Sequence, residues 1–290
     1  MNLNGKKFRF LAYIFLISLL FTVINVNTLT VKAMPFYGLS PKFLTVRSNF
    51  STTYEKSSSE RKSNIKLAAK SINGTLVDVG GEFSFNMTVG PRTEKRGYKS
   101  AKIISGGEFV DGVGGGVCQV STTLYNAAVL AGLKISEYHP HSLPVSYVAP
   151  SFDAMVNSGS ADLRFVNNTD NPIVVMATAN GEKLTVKIIG EPLGVEFKRV
   201  STVIKTIPAP DYLVIKDDKN EYPDLYEGER LYLSYSKDGI KSQGYVETYK
   251  NGKLVNKIKL RTDTYSPVQG KVVIGVSPRP ALEQAESDIN

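Results

Sequence analysis

The stretch from Asp111 to Asn126, which reads DGVGGGVCQVSTTLYN, limits the possible folds of this chain more than any other. Its glycine run permits positive φ angles and lets the backbone come close to a ligand. Apolar residues at helical spacing begin after Cys118 and stop at Gly132, a common helix terminator. The pattern predicts a tight glycine-rich loop that leads into a buried helix, with a thiol at the helix start.

Two interpretations of Cys118 stay open from the sequence. A free cysteine is often a small buried residue, here behind a tight turn. Alternatively, the unpaired N–H groups and the positive end of the helix favour the reactive thiolate. Cys118 is the only cysteine among 290 residues, so it cannot form an internal disulfide.

The N-terminus has the pattern of an export signal. A basic start, Lys6 to Arg9, precedes the apolar run Phe10 to Val26, and Ala33 ends a small-residue cleavage site. Residues 1–33 are therefore predicted to be a signal peptide or, if uncleaved, an N-terminal membrane anchor, although the run is shorter than the roughly 20 residues that a span needs. In both cases the chain is expected to be extracytoplasmic, associated with the cell wall or anchored to the membrane.

Charge and metal-ligand spacing exclude several classes of protein. The formal net charge is +8, and removal of residues 1–33 leaves +4. This mildly basic balance suits a polyanionic cell wall or membrane surface, but no basic run alternates with aromatic residues, so no nucleic-acid partner is predicted. One cysteine and two histidines lack the paired spacing of a zinc site, and no metal or cofactor is predicted.

The residues after the predicted linker, 34–47, alternate between helical and strand patterns. An amphipathic helix with Ile65, Ala68 and Ile72 in the core is predicted before Gly74. Alternating apolar residues predict a half-buried strand at 83–86, short strands before the glycine loop and a hairpin-rich sheet from 162 to 189. The strand-like run 145–148 follows the two histidines.

Beyond Pro192 the pattern becomes all-β. Turns such as Asn251-Gly252 separate alternating runs, which predicts a separate module at 195–277 and a polar tail at 278–290. The predicted strands are Val200–Ile207, Tyr212–Ile215, Leu231–Tyr235, Tyr245–Tyr249, Leu254–Leu260 and Val272–Val276.

The candidate catalytic residues follow one another in chain order. Cys118 stands at the predicted helix start, His141 comes later with His139 two residues before it, and Asp153 lies twelve residues beyond His141. Thiol enzymes use a nucleophile, a base and an orienting acid of these types. Spacing alone does not show that the three side chains meet.

A second set of residues is predicted to contact a ligand. The amides of a glycine-rich loop before a helix, here up to Val117, can hold an oxyanion or a carboxylate, and the side chain of the residue after the thiol can donate a further hydrogen bond. The predicted ligand-binding residues are Gly114, Gly115, Gly116, Gln119, Ser121 and Thr122.

Longer strings between Ser48 and Ile189 carry a family resemblance: FSTTY, RKSNIKLAAKSINGTLV, GEFSFNMTVGPRTEKRGY and GGGVCQVSTTLYNAAVLAGL. Together with His141-Ser142 they resemble the VanW domain, which is assigned to residues 48–190. The family is bacterial and extracytoplasmic, and it is named for a member of vancomycin B-type resistance clusters. The resemblance implies an α+β VanW domain with a buried helix after a Gly-rich loop, plus a separate elongated all-β C-terminal domain.

A second resemblance covers Val200 to Val276. The strings VIKTIPAP, YEGER, DGIKSQGYVETYKNGKLV and SPVQGKVVIGV are similar to the five-glycine (G5) wall-adhesion domain. That family accompanies wall-acting enzymes and adhesins, and binding of N-acetylglucosamine has been proposed for it. The resemblance implies an elongated sheet with little core that attaches to wall glycan.

Two functions stay open. The chain is either a cysteine-dependent acyl transferase or peptidase of a Gram-positive-type bacterium that acts on peptidoglycan stem peptides or precursors, or a non-catalytic wall-binding accessory protein linked to glycopeptide resistance or to envelope or spore assembly. The expected partners are peptidoglycan, its N-acetylglucosamine-containing glycan and, through an uncleaved N-terminal segment, the bacterial membrane. The sequence does not determine the oligomeric state.

Overall fold

The computed structural model describes residues 45–280, which belong to one compact unit. The predicted signal segment, most of the predicted linker and most of the predicted tail lie outside this range. Among the helices at residues 45–280, none has the length and apolar composition of a membrane span.

The described residues are mostly β, with few helices. The helices are α1 (Ser59–Ile72), α2 (Phe85–Val89) and α3 (Val117–Leu130), with a short 3-10 helix at Glu94–Arg96. The first strands are β1 (Thr45–Thr53), β2 (Thr75–Val77), β3 (Glu82–Ser84), β4 (Ser100–Ser105), β5 (Glu108–Val113), β6 (Lys134–Glu137), β7 (Arg164–Val166), β8 (Ile173–Ala179) and β9 (Lys183–Gly190). The later strands are β10 (Glu196–Ile207), β11 (Leu213–Lys216), β12 (Arg230–Ser234), β13 (Gly239–Lys250), β14 (Lys253–Tyr265) and β15 (Lys271–Ile274).

A four-stranded antiparallel sheet, in the order β1-β9-β8-β2, supports the helices. Leu184, Val186 and Ile188 alternate along β9 and are fully buried, because successive side chains of a strand point to opposite faces. Helices α1 and α3 cover this face. The main hydrophobic core therefore lies between the sheet and the two helices.

Helix α1 confirms the amphipathic helix predicted from the sequence. The Ser58 side chain accepts a hydrogen bond from the Arg61 N–H at 3.3 Å and so satisfies one of the free donors at the helix start. Ile65, Ala68 and Ile72 are fully buried on one side of the helix.

The prediction of a continuous half-buried strand at 83–86 is wrong. Strand β3 ends at Ser84, whose side chain accepts from the Met87 N–H at 3.1 Å and caps α2. Both Phe83 and Phe85 are buried, so their alternation in sequence does not reflect one buried and one exposed face. The run 145–148, also predicted as a strand, lies in turns instead.

The C-terminal strands form two sheets of their own, β10-β13-β14 and β11-β15-β12. All positions of β11 are exposed, which fits a module with little core. The first of these sheets is nevertheless not separate in its packing. Arg199 donates to Asn126 of α3 at 2.5 Å, and Ser201 donates to the Pro150 carbonyl at 2.7 Å. The C-terminal region is therefore separate in its strand pairing, but its first sheet rests directly on the rest of the unit.

Candidate active site

Helix α3 begins between strand β4 and helix α1, where only glycine fits. A Cβ atom on Gly115 would lie 2.6 Å from the Ala101 carbonyl oxygen, closer than van der Waals contact permits. Gly116 caps the helix with a φ of 106°, a conformation that side chains with a Cβ avoid. The glycines thus allow a close backbone packing that places Cys118 in the first turn of α3.

Of the three predicted catalytic residues, His141 contacts Asp153, and Cys118 lines the same cleft as His141. Cys118 is partly buried, and its Sγ donates to the Val156 carbonyl at 3.3 Å. His141 follows β6 in a loop, and its Nδ1 lies 2.7 Å from Oδ2 of Asp153. The same Oδ2 accepts from the His141 backbone N–H at 2.6 Å. His141 and Asp153 are both buried, so the loop from 138 to 156 holds the histidine against α3.

The surroundings of Cys118 favour the thiolate. Burial alone would raise the pKa of the thiol, but a hydrogen bond with His141 and the charge of His141 outweigh it. The charge of the Arg92 guanidinium adds to this effect, and the pKa of Cys118 falls below its ordinary value.

His141 is shifted in the opposite direction. Burial would lower the pKa of its imidazole, yet the hydrogen bonds with Asp153 and Cys118 raise it to about 9. The pKa of Asp153 stays below its usual range, because the bond and charge of His141 and the charge of Arg261 outweigh the cost of burial. The two shifts thus act in the same sense, since one favours the Cys118 thiolate and the other the His141 imidazolium.

Two arginines lie near the thiol. Burial lowers the pKa of both Arg61 and Arg92, and the charge of Cys118 counteracts this in each case. Arg61 donates to Gln119 Oε1 at 3.0 Å, and Arg92 donates to Asn86 Oδ1 at 2.8 Å. They place positive charge beside the position where a thiolate forms.

The thiol opens into a cleft of about 1320 Å³. Gly114, Gly115, Gly116 and Gln119 line it, together with the β4-β5 hairpin and the loop around His141. The basic residues in its lining outnumber the acidic ones: Lys56, Arg61, Arg92, Lys102 and Lys237 against Glu55 and Asp238.

Two of the predicted ligand-binding residues, Ser121 and Thr122, are buried away from the cleft. The Ser121 hydroxyl is fully buried and donates to the Ala154 carbonyl at 2.6 Å, while the Thr122 hydroxyl accepts from the Ala154 N–H at 2.9 Å. Neither residue lines the cleft. Because their polar atoms are used internally, they hold the segment after Asp153 against α3, and the prediction that they bind a ligand is corrected.

The predicted oxyanion donors are also partly engaged. The Gly114 N–H donates to the Lys99 carbonyl at 3.0 Å, and the Val117 N–H donates to the Gly114 carbonyl at 3.1 Å. Gln119 is buried and donates to Thr52 Oγ1 at 3.0 Å and the Thr53 carbonyl at 2.9 Å. Gln119 therefore ties α3 to β1 as well as facing the cleft.

His139 stands apart from this group. Its Nε2 lies 2.9 Å from Oε1 of Glu137, at the end of β6. Within residues 45–280, no group of three or more His, Cys, Asp and Glu side chains is placed to hold a metal ion.

Two residues near the site have no signal in the local sequence. Arg261 and Tyr265 on β14 are buried, and both contact Asp153, more than one hundred positions earlier in the chain. Alternation along the strand shows that they share a face, but no sequence pattern identifies what that face covers.

Comparison with known proteins bears on the same region. Residues 60–189 match the family described as VanW like protein. The chain thus contains a VanW domain. A Bacillus subtilis relative, "Uncharacterized protein YoaR", is 44% identical over 137 residues, which are 47% of this chain and 45% of the relative.

The "Vancomycin B-type resistance protein VanW" of Enterococcus faecalis is 30% identical over 133 residues, which are 44% of this chain and 48% of the relative. The chain therefore spans about half the length of these two relatives. The range that matches the family, residues 60–189, contains the glycine loop, Cys118 and His141.

Two solved G5 structures were also matched. "Crystal structure of HP0197-G5" shares 18% identity with a TM-score of 0.16, and covers 28% of this chain and 95% of that one. "IgA1 Protease G5 domain structure" shares 21% identity with a TM-score of 0.18, and covers 29% of this chain and 93% of that one. Scores this low carry no argument about the fold, and the G5 assignment stays a resemblance in sequence.

Proposed function

We propose that this chain is an extracytoplasmic, cell-wall-associated protein whose VanW domain performs cysteine-dependent acyl transfer, as a transferase or a peptidase, on peptidoglycan stem peptides. Cys118 is the nucleophile, His141 the general base and acid, and Asp153 the orienting group. The observation that carries the proposal is the hydrogen bond between Asp153 and His141, together with the position of His141 and Cys118 in the lining of one cleft.

In the proposed reaction, the Cys118 thiolate attacks the carbonyl carbon of a peptide bond, and the carbonyl electron pair moves to oxygen. Collapse of this intermediate breaks the C–N bond, and the His141 imidazolium gives its proton to the departing amine. The acyl group is then held as a thioester. Water or an acceptor amine attacks the thioester and gives its proton to the neutral His141, so that the thiolate and the imidazolium are both restored.

The charge of the cleft supports an acidic substrate. Stem peptides carry free carboxylates, and guanidinium groups bind carboxylates strongly. Arg61 and Arg92 line the cleft together with Cys118. They are suited to bind a substrate carboxylate and, before substrate arrives, to stabilise the thiolate.

The test uses the purified chain with purified peptidoglycan fragments that carry intact stem peptides, analysed by mass spectrometry. Cleaved or cross-linked stems are expected with the wild type, and Cys118→Ser should abolish them. Ser277→Ala, remote from the cleft, serves as the control and should keep full activity. Equal turnover by Cys118→Ser would contradict the proposal.

A second function, attachment to wall glycan, is favoured by exposed aromatic residues of the C-terminal region. The rings of Tyr232 and Tyr235 stack with centroids 5.6 Å apart and 11° between their planes. Tyr212 meets Tyr232 edge-on at 5.3 Å. Tyr232 and Tyr235 are exposed, and flat aromatic faces suit the apolar faces of sugar rings such as N-acetylglucosamine.

Sedimentation with purified peptidoglycan tests this attachment. Tyr235→Ser should lower the bound fraction of the full chain, because it removes half of the stacked pair. Leu254→Ser removes another exposed apolar side chain from the same region and should bind like the wild type. Equal binding by all three proteins would exclude the tyrosines as the contact.

A further inference from the structure

The carboxylate of Asp153 divides its two oxygens between two parts of the chain. Oδ2 accepts from the His141 backbone and pairs with the His141 ring. Oδ1 accepts from the Tyr265 hydroxyl at 2.5 Å and from Arg261 Nη2 at 3.3 Å, while Arg261 Nη1 donates to the Asp153 carbonyl at 2.6 Å. Strand β14 of the C-terminal region thus holds the oxygen that His141 does not use.

The hydroxyl of Tyr265 has a defined direction. It accepts a hydrogen bond from the Ser151 N–H at 2.7 Å, which leaves its single proton for Asp153. Ser151 has a φ of 62°, rare for a residue with a side chain, and its hydroxyl pairs with Ser242 of β13 at 2.7 Å. The segment that leads into Asp153 is therefore fixed by two strands of the C-terminal region.

The polar character of this contact is costly in free energy. Arg261, Asp263 and Tyr265 alternate on one face of β14 and are all buried, whereas the strand before Arg261 is exposed. Arg261 is also bonded to Asp263 at 2.6 Å. Apolar residues would dock the two parts of the chain at lower cost, because a buried ion pair loses its hydration. The buried charges lie where they meet Asp153.

We infer that Arg261 and Tyr265 are positioning residues of the candidate active site: they hold Asp153 so that its second oxygen orients His141 toward Cys118. The inference rests on the proposed function of Cys118. It assigns the C-terminal region a part in the chemistry of the VanW domain, in addition to any attachment to the wall. Neither residue touches the cleft, so both act only through Asp153.

The test measures the pH midpoint of alkylation of Cys118 by a thiol-specific reagent in the full chain. Tyr265→Phe removes one hydroxyl and keeps the ring, so the buried packing is retained. Release of Oδ1 weakens the hold of Asp153 on His141, and the midpoint is expected to rise by about half to one pH unit. The other groups that face the thiol, Arg61, Arg92 and Tyr147, are the same in every variant.

Two further proteins complete the experiment. Arg261→Lys keeps the charge but cannot make both contacts to Asp153, and its midpoint should also rise. Tyr249→Phe removes a hydroxyl that donates to Glu247 on β13, remote from Asp153, and should match the wild type. Circular dichroism establishes that each variant is folded. Tyr265→Phe is the variant most expected to fold, because it keeps the buried ring.

The outcomes separate the inference from the proposed function. A low wild-type midpoint that rises in Tyr265→Phe supports both. A low wild-type midpoint that is unchanged or lower in folded Tyr265→Phe overturns the positioning role and leaves the proposed function intact. A wild-type midpoint at the ordinary thiol value of about 8.5 overturns both.

Discussion

The two nitrogens of the His141 ring have different roles in the proposed reaction. Nδ1 lies 2.7 Å from the Asp153 carboxylate, so Nε2 is the nitrogen that would serve Cys118. In a thiol enzyme this arrangement fixes the tautomer and stabilises the protonated ring beside the thiolate. The proton on Nε2 is then available for the leaving group.

Removal of the thiol should make His141 a weaker base. Its pKa is raised to about 9 in part by the hydrogen bond and the charge of Cys118, so Cys118→Ala should lower it by about one unit or more. Nuclear magnetic resonance of the ring protons measures the titration directly. The His139 ring, bonded to Glu137, gives an internal reference in the same spectrum. An unchanged His141 titration would show that the two groups do not interact.

At the residue scale, the sequence identifies the candidate catalytic residues but not the residues that hold them in position. Cys118, His141 and Asp153 can be selected because residue type and chain order are local properties, and the structure places His141 against Asp153 and in the lining of the cleft that also contains Cys118. Arg261 and Tyr265 cannot be selected, since a buried face of a strand does not reveal which segment covers it. Ser121 and Thr122 are misassigned because they lie on the part of α3 that is buried against Ala154 and not on the part that lines the cleft.

At the scale of elements, the start of α3 depends on the loop packing against β4. There is no room for a Cβ atom at Gly115, because it would lie within 2.7 Å of the carbonyl oxygens of Ala101 and Lys102. A displaced loop would move the first turn of α3 and with it Cys118.

Gly115→Ala should therefore destabilise the fold by about 2 to 3 kcal/mol, because the added methyl group must displace backbone atoms. Chemical denaturation measures the loss. Gly159→Ala is the matched control, since no atom lies within 4 Å of the position of its Cβ. A Gly115→Ala protein as stable as this control would contradict the packing described for the loop.

Periodicity predicts some elements better than others. Helix α1 is long and has one apolar face, so its spacing is unambiguous. The Phe83 to Phe85 segment is short, and the cap supplied by Ser84 starts a helix where alternation predicts a strand. Three of the four residues 145–148 are β-branched or aromatic, but the segment has no partner strand, which a single sequence cannot show.

At the scale of the whole molecule, the sequence pattern changes near residue 190, and no sheet pairs strands from the two sides of that point. The two parts are nevertheless packed together, because β13 and β14 lie against the segment from Pro150 to Asp153. Gly244 of β13 is the tightest point of this contact, where a Cβ atom would lie 2.7 Å from the Ser151 carbonyl oxygen.

Gly244→Ala should raise the alkylation midpoint of Cys118 although Gly244 lies outside the cleft. The added methyl group pushes the Ser151 segment away from β13 and disturbs Asp153, two residues further along. Gly194→Ala, with no atom within 4 Å of its Cβ position, is the control and should leave the midpoint unchanged. Identical midpoints in both variants would show that the contact does not influence the site.

The pH dependence of Cys118 alkylation in the wild type and in His141→Gln tests the central claim most directly. Because the pKa of the thiol is lowered chiefly through His141, the wild type should react with a midpoint well below the ordinary value of about 8.5, and His141→Gln should return the midpoint to that value or above it. Equal midpoints near 8.5 in the two folded proteins would contradict an activated thiol at this site.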